Sequence, residues 1–571
     1  MNDNAKLSNV EHIKLESNYL RGTIEAGLAD ELTGAIADDD TQLTKFHGFY
    51  QQDDRDVRSE RKHQKLEPYY QFMVRMRLPA GTLTSAQWLA CDDIADNYGN
   101  ATLRITTRQT FQFHGVAKHN LKPLIQALDA VDLDSKGGCG DDNRNVIANA
   151  NPHESALHRE IHDWSHRISE RLMWRSRAYD ELWLDAPVSD EPEHEPLYGT
   201  SYLPRKFKVG IAIPPENDCD VLANDIGLIA IVENGELAGF NVAVGGGMGM
   251  THGETATYPR LASVIGFATP DQILDTVETL VAIQRDYGDR ENRKHARFKY
   301  TIDDHGVDWL HAQLAERADL ALSEPRSYQF DRNGDPLGWR QAENGRWHVT
   351  LFVENGRIAD FDDGQRLKSG FRALADAHEG EFRMTCNHNV IVANIADDAC
   401  AEIERIIRDY RLDDGGSLSR LRYSAMSCVA FPTCGMAMAE SERYLPQLID
   451  KIQAVQEDAG IGDNAIVVRM TGCPNGCARP YNAEIAFVGK AVGKYNVYLG
   501  GAWNGERLNK LYRENIGEAE ILAELTPLIN RYAVEASAGE PFGDFVIRAG
   551  VIAETTAGLD FHSHIGEPAT A

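Results

Sequence analysis

One unit is written twice in this chain, and that repeat limits the fold more than any other feature. From residue 69, YYQFMVRMRLPAG reads as a strand, SAQWLACDDIADNYG as a helix closed by Gly99, and ATLRITTRQTFQFHGV as a hairpin of alternating β-branched and aromatic residues. The same order returns from residue 347 as WHVTLFVENGRI, then LKSGFRALADAHEG with Gly380 at its end, then EFRMTCNHNVIVANI. Laying residues 103–116 on 382–395 puts Arg104 on Arg383 and Thr106 on Thr385. A second pair of segments repeats as well: DIGLIAI (225–231) echoes EIAFVGK (484–490), and FNVAVGGG (240–247) echoes YNVYLGGA (495–502). Self-similarity over such long spacing points to duplication and a pseudo-twofold α+β fold. A ligand at the seam of such a fold receives different groups from each half.

The repeats divide the 571 residues. Residues 66–136 and 339–411 form duplicated β-rich half domains, while 137–338 and 412–571 read as two larger α+β domains. Residues 1–65 are dense in charge, as in QQDDRDVRSERKHQKLEP, and carry little apolar periodicity. They are expected to be a flexible arm suited to docking a partner. No window offers the run of about 18 apolar residues that a membrane span needs, and the polar N-terminus has no secretory signal. Both features predict a cytoplasmic chain. A net charge of −29 argues against a nucleic-acid partner, because such binding depends on neutralising phosphates. Against that acidity, clustered Lys and Arg become informative.

Nine cysteines are too scattered for a disulfide framework. Cys91, Cys139, Cys219, Cys386 and Cys400 stand alone and read as small buried hydrophobes. The other four form two tight pairs, Cys428-Val-Ala-Phe-Pro-Thr-Cys434 and Cys473-Pro-Asn-Gly-Cys477. Four thiolates match a cubane 4Fe-4S cluster, one per iron. A structural zinc site also takes four cysteines, but five residues inside the first pair fit the usual zinc spacing poorly. Gly and Pro around the second pair let backbone approach a bulky cluster. The halves have therefore diverged: the first carries Arg108, Lys206 and Lys208, and the second carries all the paired cysteines.

These cysteine pairs, with LRITTRQTFQFHG, NRNV and LPRKFK, and with ESNYLRGTI and GEPFGDFVIRAG near the ends, resemble the siroheme nitrite and sulfite reductases. Within that family the match is to the hemoprotein subunit of NADPH-dependent assimilatory sulfite reductase, and it runs through nearly the whole chain. The resemblance implies ferredoxin-like half domains beside siroheme-binding α+β domains. It implies six-electron reduction of sulfite to sulfide in sulfate assimilation and cysteine biosynthesis, at a siroheme iron joined to a 4Fe-4S cluster. Cys428, Cys434, Cys473 and Cys477 hold the cluster by similarity, and Cys477 also ligates the siroheme iron. Arg104, Arg108, Gln112, His114, Arg205, Lys299 and Asn475 match the cofactor-binding positions. Arg75, Arg144, Lys206 and Lys208 match the substrate side. On an extended segment Lys206 and Lys208 share one face, an arrangement that makes sense opposite negative charge.

Gly245-Gly-Gly-Met-Gly249 lacks the spacing of a dinucleotide fingerprint and reads as a tight turn. Electrons are thus expected from a partner. The resemblance implies a flavoprotein subunit carrying FAD, FMN and the NADPH site, with ferredoxin as the alternative donor. Two other readings stand beside this one. A siroheme nitrite reductase shares the cysteines but matches less well at Lys208, where it tends to Asn. A non-catalytic iron-sulfur or zinc scaffold would not be expected to keep every cation of the pocket.

Overall fold

The computed structural model describes residues 6–150, 155–362, 364–413 and 415–562. Two five-stranded antiparallel sheets carry the half domains. The first runs in the order Phe49–Asp53, Tyr70–Arg75, Phe111–Val116, Leu103–Ile105, Arg357–Ile358. The second runs Gly338–Gln341, Trp347–Leu351, Val390–Ile395, Glu381–Met384, Thr82–Thr84. The two orders match strand for strand, and each sheet ends on a strand lent by the other half. Arg357 pairs with Arg104, and Thr82 pairs with Arg383. Exchanged edges leave the half domains unable to separate without breaking both ladders.

The helix Ser85–Tyr98 starts on a capping box, in which the Thr84 side chain accepts from the Gln87 backbone. It places Trp88 between Phe111, Phe371 and Phe382, with ring centroids 5.2, 5.2 and 4.6 Å away. One aromatic cluster thus serves both sheets, and burying Trp88 alone contributes on the order of 2–3 kcal/mol.

The larger domains repeat each other in the same way. In the first, Val209–Ala212 lies parallel to Ile226–Glu233, which continues antiparallel through Glu236–Val244 to Ser263–Ala268. In the second, Val468–Thr471 lies parallel to Ile485–Ala491, followed antiparallel by Lys494–Leu499 and Lys510–Ile516. Val209 faces Ile226 as Val468 faces Ile485, so Asp225 and Glu484 occupy equivalent positions, as do Asp220 and Arg479. Those last two are each other's partners. Arg479 Nε lies 2.5 Å from Asp220 Oδ2, and Arg469 adds a second contact at 2.6 Å. Both residues hold left-handed backbone, φ 46° and 52°, ahead of a short 3-10 turn. The centre of the molecule is therefore a buried ion pair made from one duplicated position.

The N-terminal segment differs from the flexible arm expected for residues 1–65. Residues 1–5 lie outside the described residues, but from residue 6 onward the segment packs on the body. Leu20, Ile24, Phe46 and Phe49 are buried, and Phe49–Asp53 is an edge strand of the first sheet. Several of its charges are paired with the body. Lys14 sits 2.6 Å from Glu11 and donates to the Leu203 carbonyl at 2.7 Å, and Glu11 also meets Arg290. Charge density reads as disorder when its partners lie nearly two hundred or more residues away. Among the described residues no helix is long and apolar enough to cross a membrane.

Candidate cofactor and anion site

The basic wall is built on backbone fixed by sheet pairing. Phe207 is fully buried and bridges Asn143, its carbonyl accepting from the Arg144 backbone at 2.9 Å. That seating turns Lys206 and Lys208 to the opposite side, where both are only partly buried. Burial first, then Arg297 and Arg205, pull the Lys206 ammonium down to about 7. Burial and then Lys206 itself hold Lys208 well below the usual lysine range. Cations crowded in this way favour any anion that enters among them.

Arg75 is aimed by a short relay. With its amide oriented to suit both neighbours, Gln112 accepts from Arg75 Nε at 3.1 Å and donates to His114 Nε2 at 3.3 Å. Arg75 also donates to Cys139 Sγ at 3.2 Å and lies over the Tyr50 ring. Arg144 donates to the Gly140 carbonyl from Nε at 3.0 Å and from Nη2 at 2.7 Å. Arg108 donates to the Val209 carbonyl at 2.9 Å and to Asn224 and Asn145. Lys206 feels Arg297, Arg205 and Arg144 electrostatically, and Arg205 feels Arg297, so these residues form one basic cluster.

The second wall is the cysteine loops. Cys428 Sγ accepts from the Gly472 backbone at 3.3 Å, and the Cys434 backbone donates to Ala430 at 2.9 Å. The Thr107 hydroxyl, from the first half, donates to the Cys477 carbonyl at 3.1 Å. The glycine turn read from the sequence packs directly on this loop. Met250 N donates to the Pro474 carbonyl at 2.9 Å, and a Cβ on Gly246 would collide with the Leu222 carbonyl. Asn475 stands beside that turn, its carbonyl 3.4 Å from where a Gly249 Cβ would lie. Cys473 is buried whereas Cys477 is exposed, and the charge of Cys477 reaches Lys206.

The donor set fits a cluster better than a single ion. Burial and mutual repulsion push the Cys428, Cys434 and Cys473 thiols up, which a bound metal reverses by taking the thiolate charge. Among the described residues no group of three or more His, Cys, Asp or Glu converges on one metal-ion position. A tetrahedral zinc site, with Zn–S bonds of about 2.3 Å, demands that convergence; a cubane spreads its ligands.

Three of the expected carboxylate-binding cations hold protein partners: Arg108 through the acceptors already named, and Arg104 and Lys299. Arg104 is buried, 2.9 Å from Glu442, and donates to the Ser427 carbonyl at 3.0 Å. Lys299 is fully buried and donates to the carbonyls of Gly247 at 3.2 Å, Gly249 at 2.8 Å and Tyr258. Their positively charged motifs resembled free pocket cations in one dimension; in three, the acceptors come from segments 338 and about 50 residues distant. Arg297, Asp225 and Tyr50 went unnoticed in the sequence, and Cys139, read there as a small buried hydrophobe, is buried and accepts from Arg75. Arg297 pairs with Asp225 at 2.9 Å, and its i, i+2 spacing from Lys299 was the available signal.

Glu442 offers a check on the Arg104 contact. Burial raises its carboxyl, but Arg357 and Arg104 outweigh that and hold it at about 2. A depressed carboxyl stabilises the fold above its unfolded value near 4.5, and that stability is lost as pH falls toward about 2. Thermal denaturation of Glu442→Gln should show a clear deficit at pH 7 that narrows between pH 4.5 and 2. A deficit independent of pH would refute the ion pair.

The duplication creates a second cavity, of about 760 Å³, lined by Asn387, Tyr423, Ala465, Val467 and Glu484 among others. Matched strand registers make Asn387, Ala465, Val467 and Glu484 the counterparts of Arg108, Lys206, Lys208 and Asp225. By the same registers Cys473 and Cys477 correspond to Pro214 and Asp218. Of the two related faces, the first sets Lys206 within reach of Cys477 and the second has Ala465 at the position of Lys206.

Comparison with known proteins agrees with this division. A family model described as the nitrite/sulfite reductase ferredoxin-like half domain matches residues 63–131 and 340–410. A model described as the nitrite and sulphite reductase 4Fe-4S domain matches residues 164–322, the copy without the paired cysteines. The chain is 57% identical over 560 residues to the sulfite reductase [NADPH] hemoprotein beta-component of Staphylococcus haemolyticus, covering 98% of each. It is 57% identical over 559 residues to the protein of that name from Chromohalobacter salexigens, covering 97% of each. The solved structure of Mycobacterium tuberculosis NirA shares the fold, with a TM-score of 0.74 at 23% identity over 94% of this chain and 95% of that one. Duplicated half domains, a thiol wall set against a cationic wall, and relatives identical at more than half of all positions place this chain in the nitrite and sulfite reductase family.

Proposed function

We propose that this chain is the hemoprotein component of an assimilatory sulfite reductase, reducing sulfite to sulfide with electrons from a flavoprotein partner. The observation that carries the reading is Cys477, the exposed cysteine of the set, set within electrostatic reach of Lys206 across the seam of the duplicated fold. Cys428, Cys434, Cys473 and Cys477 would hold a 4Fe-4S cluster beside siroheme, and these groups, when bound, would supply the redox equivalents. The other roles fall to the chain. Arg75, Arg144, Lys206 and Lys208 bind and polarise the substrate oxygens, and the lysines hold protons for the oxygens that leave as water.

Arg108, Arg205, Gln112, His114 and Asn475 are assigned to the carboxylated edge of the tetrapyrrole. Arg104, Arg108 and Lys299 take that assignment only by exchanging protein acceptors for heme carboxylates. A donor domain bound over Asp53–Arg58 sits beside the cysteine loop, since the Arg55 backbone donates to the Pro432 carbonyl. This supports docking through the N-terminal segment.

The test is an anaerobic visible spectrum of purified protein with iron and acid-labile sulfide assays, then turnover with an artificial reductant. A tetrapyrrole band, one more iron than labile sulfide per chain, and faster sulfite than nitrite turnover are expected. Protein that takes up no tetrapyrrole would point to the scaffold reading, and nitrite turnover dominating would point to the nitrite enzyme. The second reading is disfavoured by Lys208, where nitrite enzymes tend to Asn.

A further inference from the structure

Leaving the first sheet, residues 53–58 cross the loop between Cys428 and Cys434, and Arg55 is the side chain that grips it. Its backbone N–H donates to the Pro432 carbonyl at 3.1 Å. Its guanidinium donates to the carbonyls of Ala437 at 3.1 Å and Cys434 at 3.4 Å, and lies over the Phe431 ring, 4.6 Å from the centroid. Flanking ion pairs pin the segment: Asp56 to Arg443 at 2.7 Å, and Arg58 to Asp53. Among the described residues the hydrogen-bond acceptors of Arg55 are carbonyls, so no bonded carboxylate cancels its charge. Neighbouring arginines are different, since Arg58 and Arg443 are each bonded to acidic side chains.

We infer that Arg55 is a positioning residue that sets the reduction potential of the cluster held by Cys428, Cys434, Cys473 and Cys477; this rests on the cluster assignment proposed above. A thiolate-ligated cluster is anionic, and reduction adds a further negative charge. A cation fixed against the ligand loop, partly screened from water, stabilises the reduced state more than the oxidised one. The planar guanidinium is suited to the task because it holds two carbonyls and stacks on Phe431 without losing its charge. The same contact ties the oldest question about the N-terminal segment, what it docks, to the electron path: the segment that a donor would meet also carries the charge that biases electron acceptance.

The experiment is a redox titration of the purified holoprotein followed by the spectroscopic signal of the reduced cluster, in wild type, Arg55→Gln, Arg55→Lys and Arg58→Gln. Removing the charge in Arg55→Gln should lower the reduction equilibrium constant about tenfold, which for a one-electron couple is about 59 mV toward more negative potential. Arg55→Lys keeps the charge and should stay near wild type, as should Arg58→Gln, whose guanidinium is already neutralised by Asp53. Equal shifts in the Gln and Lys variants, an unmoved potential in Arg55→Gln with its cluster retained, or loss of cluster iron from Arg55→Lys would each overturn the inference. Absence of any cluster from the wild-type protein takes down the cofactor assignment along with it, whereas the other outcomes fail Arg55 alone.

Discussion

Cys477→Ser should abolish sulfite reduction by the holoprotein, with turnover on an artificial reductant falling by more than about a hundredfold. Serine keeps the shape of the side chain and removes the property that matters. Its hydroxyl resists deprotonation at neutral pH and is a hard oxygen donor, whereas a thiolate is soft, polarisable and suited to bridging iron centres. Position matters as much as chemistry. Cys473, Cys428 and Cys434 are drawn into the protein while Cys477 is exposed toward the basic cluster, so it alone can face two partners. The fold should survive the change, because the Cys477 carbonyl keeps its bond from Thr107 and the loop keeps Met250 on Pro474. Circular dichroism should match wild type. Full sulfite turnover by the variant would sink the bridging assignment.

Lys208→Asn should cut the specificity constant for sulfite by about 10²-fold while nitrite loses less. Sulfite carries more negative charge and one more oxygen than nitrite, so it gains more from a second lysine beside Lys206. That second lysine is costly to hold. Burial and Lys206 depress its charged form, and an anion entering beside it favours that form again. Asparagine removes the repulsion together with the attraction, and the pocket becomes better matched to a smaller anion. Steady-state kinetics with both substrates decide the matter; equal losses would show that Lys208 supports the pocket in general and does not select between substrates.

The empty counterpart hollow explains why duplication leaves one functional centre. Arg75 faces Gln112 in the first sheet as Thr350 faces Ile391 in the second, and Arg108, Lys206 and Lys208 likewise stand where the second half has Asn387, Ala465 and Val467. The two halves share backbone geometry because paired strands tolerate side-chain change on their open faces. They share no chemistry there, because an anion site needs several cations at once and loses its purpose when they go.

Much of this was written in one dimension. Alternating residues in LRITTRQTFQFHGV and EFRMTCNHNVIVANI are enough to specify two equivalent hairpins, since period-two patterning assigns one face of a strand to the core. The cysteine pairs name a metal centre by composition alone, as four thiols at that spacing have few other uses. What the sequence could not decide is where each charge is spent. Arg104 and Lys299 look like Lys206 in a string of letters, yet Glu442 and a ring of carbonyls claim them. The charged N-terminal segment looked unstructured, yet Lys14, Arg55 and Asp56 have partners 189 to 387 residues away. Periodicity is a local property and survives in the sequence; the pairing of a charge depends on which distant segment folds against it, so only tertiary structure determines which cations are left to meet a substrate.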